Sequence, residues 1–247
     1  MLPDFFVGLD LAQASDWTAL CLLERREPEI GAEASYDCSH LERWRGESYT
    51  AVPPRVERML NVLQAQYQSR RLTAMAAFRH PLPPEPKIAL LVDKTGVGAA
   101  VIDFLNAAGL DPIGVTIHGG DRVTKADGDD FRVPKRDLAA VVAMLLQQRR
   151  LRIAEALPLA GTLRHELESF RVTISASGHD RYAAGDDALS WREKPHDDLV
   201  LSVALAAWYA EYEAREAASR RVYVSSYLPS ADQDDDGPFP ERGAWRR

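Results

Sequence analysis

The chain has 247 residues, 46% of them hydrophobic and 27% charged, with a formal net charge of -7. That is enough to bury a real core in one large domain or two small ones, and the acidic balance argues against a protein that coats nucleic acid through bulk electrostatics, though not against a nuclease, whose metal-binding cluster is itself acidic. No apolar run is long enough to span a bilayer, the start "MLPDFFVGLD" lacks a basic n-region and a signal-peptide core, and Cys21 and Cys38 form neither a CxxC nor a disulfide framework, so a cytoplasmic protein with no membrane partner is expected.

In chain order, "FFVGLDLA" reads as a short strand, "WTALCLLERRE" as a second after a polar break, and "SYDCSHLERWRGE" as a third. Three strands with short links predict an antiparallel meander. Pro53 and Pro54 then open a helix, "PPRVERMLNVLQAQYQSRR", with Val56, Met59, Leu60 and Leu63 at helical spacing. After the proline-rich "FRHPLPPEP", "KIALLVD" is a buried strand ending at Asp93. "TGVGAAVIDFLNAAG" turns into a helix stopping at Gly109, and "DPIGVTIH" is another strand. "GGDRVTKADGDDFR" is a mobile loop or a hairpin. Pro134 starts the helix "PKRDLAAVVAMLLQQRR", followed by the strand "LRIAEAL" and the helix "PLAGTLRHELESF". "RVTISASGHDRYAAG" reads as a hairpin, and "KPHDDLVLSVALAAWYA" opens an apolar helix running to about Ser219. Residues 1–227 form one domain on this reading and 228–247 a polar, disordered tail. The tail's "DQDDDG" starts like a calcium loop, but Gly243 stands where the twelfth-position glutamate belongs, and prolines intrude. The order of elements predicts an α/β fold, a mixed central sheet flanked by helices on both faces.

Acidic residues stand where strands end and a helix begins: Asp10 after "VGL", Asp93 after "LLV", and Asp197 and Asp198 ahead of "LVLSVALAAW". Singly, each has an ordinary explanation, as a turn residue or a first-turn acid favoured by the helix dipole. Together they ask for another. If the first and fourth strands are neighbours, Asp10 and Asp93 project side by side, and the last helix can bring its N-terminus over both. Carboxylates packed a few ångströms apart cannot all ionise unless a proton or cation is shared. Hard oxygen ligands suit Mg2+ or Mn2+, and two such ions about 4 Å apart would clamp the attacking and leaving oxygens of a phosphodiester. His196, beside the pair, would be an accessory group that orients, donates to phosphate, or binds metal in its neutral form.

The segments "VGLDLAQASDWTAL", "LLVDKTGVGAAVIDFL", "VPKRDLAAVVAMLLQQRRLRI" and "KPHDDLVLSVALAAW", in this order, resemble the nuclease domain of phage large terminase subunits, from about Phe5 to Tyr209. The resemblance implies an RNase H-like fold and a metal-dependent endonuclease that cleaves concatemeric double-stranded DNA during genome packaging, in the cytoplasm of a bacterial host. Carried over residue by residue, it implies metal ligands and catalytic positions at Asp10, Asp93, Asp198 and Asp197, with Asp10 bridging two Mg2+ or Mn2+ ions. A hairpin over 171–182 and the loop 119–132 would flank the DNA, with Arg122, Lys125, Lys135 and Arg181 as phosphate contacts.

The sequence departs from the whole terminase subunit in one respect. The nuclease-like region starts within ten residues of Met1, and no GxxxxGK[ST] is present, so no nucleotide cofactor is expected and the chain reads as an excised domain, a stand-alone nuclease or a subunit that borrows a separate motor. "DKTGVGAA" supplies a tight strand-to-helix turn rather than a phosphate loop. A separate packaging ATPase, a small terminase or a portal are the implied protein partners. The alternatives are a non-catalytic packaging module that docks such a motor or portal, and another RNase H-like nuclease such as a junction resolvase, since fold does not settle substrate.

Overall fold

The computed structural model describes residues 4–11, 16–26, 33–78, 86–126, 128–170 and 197–227. Eight strands form one mixed sheet in the order β6-β7-β5-β4-β1-β2-β3-β8. The expected meander is present: β1 (Asp4–Asp10) pairs antiparallel with β2 (Thr18–Arg26), and β2 with β3 (Ser35–Trp44). On the other side of β1, β4 (Ile88–Asp93) runs parallel to it, and β5 (Ile113–His118) runs parallel to β4. Parallel neighbours require crossovers, and the helices α1 (Val52–Phe78) and α2 (Gly98–Ala107) lie in those connections. α1 runs past the predicted Arg71 because "LTAMAAF" is made largely of good helix formers and holds no proline.

The segment 119–132 proves to be a hairpin. β6 (Thr124–Lys125) pairs antiparallel with β7 (Phe131–Pro134), and Gly128 turns the chain at a φ of 70°. β7 then adds to β5 in parallel and extends one edge of the sheet. Pro134 closes β7 in an extended conformation and caps α3 (Lys135–Gln147), so one residue ends a strand and starts a helix. At the opposite edge β8 (Leu151–Ile153) pairs parallel with β3, and α4 (Ala160–Ser169) follows. The last helix, α5, spans Asp198–Tyr227. The chain divides into two compact units, Met1–Glu211 and Tyr212–Arg247, and the sheet lies in the first. The segments 171–182 and 228–247, including "DQDDDG", lie outside the described residues.

Alternation along β1 explains why helices cover both faces. Phe5, Val7 and Leu9 share one core with Val56 and Leu63 of α1 and Val101 and Leu105 of α2. Phe6, Gly8 and Asp10 point to the opposite face, where Phe6 meets Tyr209 at 6.3 Å between ring centroids. Both sets are buried, which is why the strand reads as a continuous apolar run. α5 lies so close to β1 that a Cβ on Gly8 would come within 1.9 Å of the Ser202 carbonyl oxygen. Buried apolar side chains occupy α5 from Leu199 to Ala210, the sign of a helix embedded in a core rather than one lying on a surface. Among the described residues no helix is long and apolar enough to cross a membrane.

Candidate metal centre

Strand register sets the first two carboxylates. Leu9 is the partner of Val92, so Asp10 and Asp93, the next residue on each strand, end neighbouring parallel strands together. They are 7% and 8% exposed. Behind Asp93 the chain turns through Gly96, at a φ of 68°, into α2. Gly98 permits that turn: a Cβ there would sit 1.8 Å from the Asp93 carbonyl oxygen. The glycines of "DKTGVGAA" therefore fix the end of β4, in keeping with a turn rather than a phosphate loop.

The third element is the mouth of α5. Asp197 precedes the helix and Asp198 is its first residue. Both act on Asp10. Burial is the largest influence on the Asp10 carboxyl and pushes its pKa well above the usual carboxylate range; the negative charges of Asp93, Asp198 and Asp197 push it further, and Lys135 opposes them. Asp93 is also raised, first by burial. Its ionised form is favoured by the Thr95 N–H, 2.7 Å from Oδ1, by the hydrogen bond with Asp10 and by the charge of Lys135. Two buried carboxyls this close favour sharing a proton or a cation over ionising together.

Each acid of the adjacent pair is held by a different base. Arg43 on β3 donates from Nη2 to Asp198 Oδ2 at 2.8 Å, and its Nη1 lies 3.2 Å from Glu166 Oε1 on α4. The Arg43 guanidinium also stacks on Trp17, 4.6 Å from the ring centroid. Glu166 Oε2 accepts from the N–H groups of Leu199 and Val200 at 2.9 and 3.2 Å, which caps the first turn of α5 from another helix. Burial raises the Glu166 carboxyl to about 7, against the opposing pull of Arg43 and the two N–H groups. On the other side, Lys135 at the start of α3 donates to Asp197 Oδ2 at 2.8 Å.

Asp10, Asp93, Asp197 and Asp198 thus fall in one electrostatic neighbourhood, contributed by β1, β4 and α5. With Asp197 and Asp198 engaged by Lys135 and Arg43, no three acidic, histidine or cysteine side chains among the described residues converge tightly enough to hold an ion as they stand. The donor set nevertheless fits a hard divalent cation: the candidate ligand atoms are carboxylate oxygens, and burial holds the two acids at the strand ends above the usual carboxylate range.

The remaining predicted positions are more scattered. His196 and Arg181 lie outside the described residues. Lys125 pairs with Asp129 at 3.3 Å on the edge strand β6, which is separated from β4 by three strand spacings, about 14 Å. Arg122 is exposed in the turn before β6. Lys135, named as a phosphate contact, lies among the carboxylates. Sequence reasoning passed over Arg43 and Glu166. The available clue was Glu166 itself, a carboxylate three residues after Leu163 on the buried side of α4.

The chain is similar to the solved structure of the large terminase nuclease from thermophilic phage G20c, at 20% identity over 83% of this chain and 81% of that one, with a TM-score of 0.45. It is similar also to that nuclease with bound magnesium, at 21% identity over 83% and 80% of the two chains, with a TM-score of 0.44. No protein-family model and no curated protein matches the sequence.

Proposed function

We propose that this chain is a metal-dependent DNA endonuclease of the terminase-nuclease kind. The observation that carries the reading is the gathering of Asp10, Asp93, Asp197 and Asp198 at the ends of two parallel strands and the mouth of a buried helix. Asp10 would be the central ligand, because the charges of Asp93, Asp198 and Asp197 all act on it. Asp93 and Asp198 would hold metal beside it, and Asp197 would complete the set. Bound Mg2+ or Mn2+ would supply Lewis-acid activation of a water and stabilise the leaving oxygen of the phosphodiester.

The protein's own part is positional. β1 and β4 hold two carboxylates in fixed register, and α5, anchored against Gly8, sets the third. Arg43, gripped by Glu166 and stacked on Trp17, orients Asp198. Double-stranded DNA is the proposed substrate, contacted chiefly through backbone phosphates, so sequence preference should be low.

Cleavage of plasmid and linear duplex with Mg2+, Mn2+ or EDTA tests this. The wild type should cut with either ion and not with EDTA. Asp10→Asn should lose at least about a hundredfold in rate, the scale on which loss of one essential charged group is read in enzymes. Full activity in folded Asp10→Asn would sink the assignment.

A further inference from the structure

The two cations beside the adjacent aspartates are not equivalent. Arg43 is built in: its side chain is 10% exposed, it contacts both Glu166 and Asp198, and it stacks on Trp17. Lys135 is held loosely by comparison. Its side chain is 32% exposed, and Asp197 is the one carboxylate with which it pairs among the described residues. A lysine ammonium is a compact point charge on a flexible stem, able to exchange one oxygen partner for another at little cost. The same charge acts on Asp10 and Asp93, so it serves the cluster as a cation supplied from within.

We propose that Lys135 competes with the metal at Asp197 and is drawn off by the phosphates of bound DNA, so that metal binding and DNA binding reinforce one another. The inference rests on the nuclease reading and adds regulation to it. Without DNA, the ammonium occupies an Asp197 oxygen and repels a divalent ion arriving at the same carboxylates. A duplex laid over the site offers phosphate oxygens as alternative acceptors, and α3 need not move for a lysine at its first position to reach outward. Asp198 stays pinned by Arg43 throughout, so Asp197 is the gated ligand and Asp198 the fixed one. By linkage, whatever factor DNA contributes to metal affinity, metal contributes to DNA affinity.

The test is Mn2+ binding to the full chain, read from the electron paramagnetic resonance signal of free Mn2+, with and without a short linear duplex and corrected for Mn2+ taken up by the duplex alone. This readout does not depend on cleavage. For the wild type, Mn2+ affinity should tighten roughly fivefold when duplex is present, the scale of a modest ion-pair contribution. Lys135→Met and Lys135→Gln should bind Mn2+ about that much more tightly without DNA and gain little from it. Lys135→Arg, which keeps the charge, should retain a marked gain from DNA. Unchanged or weaker Mn2+ affinity in folded Lys135→Met and Lys135→Gln overturns the gating role while leaving the nuclease reading intact. Absence of Mn2+ binding in every variant, with and without DNA, would contradict the nuclease reading itself.

Discussion

At the scale of single residues, the carboxylates impose a stability cost with a definite pH signature. Asp10, Asp93 and Glu166 all have folded-state pKa values raised above their unfolded values, with Glu166 at about 7. A raised acid takes up its proton more readily in the folded state. Its stabilising contribution is therefore present below the unfolded pKa and is lost as pH rises through the folded one. For Glu166 the window runs from about 4.5 to about 7, and the two aspartates shift the balance in the same direction. Metal-free protein should consequently melt a few degrees lower at pH 8 than at pH 5.5, and Mn2+ should raise the melting temperature more at the higher pH, where the ion need not displace protons. Thermal denaturation followed by circular dichroism, with EDTA or Mn2+ at the two pH values, measures both. A metal-free midpoint that climbs from pH 5.5 to 8 would contradict the raised carboxyls. These residues were legible in the sequence to different degrees. Asp10, Asp93, Asp197 and Asp198 stood out because each sits at the edge of an apolar run. Arg43 and Glu166 did not, because Arg43 lies among alternating polar residues of β3 and Glu166 is one of several charges on α4, and only tertiary packing joins them to Asp198.

At the scale of elements, the closeness of α5 to β1 does the most to set the site. The helix approaches until the backbone of Ser202 lies where a side chain on Gly8 would be. Gly8→Ala must push the helix outward or bend the strand, because the Ser202 backbone and the Ala206 Cβ already fill the space. Overpacking of this kind costs about 1–3 kcal/mol, sometimes more. Urea denaturation of Gly8→Ala should show a loss at the upper end of that range, and the displaced Asp198 should lower Mn2+ affinity as well. A variant as stable as the wild type would mean that α5 sits farther from the sheet than described. The strands β1 to β5 and the helices α1 to α4 were readable from runs of apolar residues and from prolines and glycines at their ends. The edges were harder. β7 is only four residues inside a polar stretch, and it is a strand because β5 offers it a parallel partner, a property of the sheet rather than of "FRVP". α1 shows the opposite case, since the alanine-rich "LTAMAAF" continued a helix for which no core periodicity was evident.

At the scale of the whole molecule, an overall charge of -7 coexists with a proposed polyanionic partner. The opposition eases locally, at the proposed site, where Asp197 is paired with Lys135 and Asp198 with Arg43. Divalent cations at Asp10 and Asp93 would remove more of it where DNA must approach. The mixed topology accounts for the rest. Parallel β1 and β4 put two strand ends together, the antiparallel meander carries Arg43 in from β3, and α5 closes over that end of the sheet. The central claim is that this gathering of carboxylates is a metal site. Its most direct test is anomalous diffraction from crystals of the protein soaked in Mn2+. The proposed nuclease function predicts anomalous density bounded by the carboxylates of Asp10, Asp93 and the Asp197–Asp198 pair, absent from Asp10→Asn crystals treated in the same way. Density elsewhere, or none between these side chains in the wild type, would contradict it.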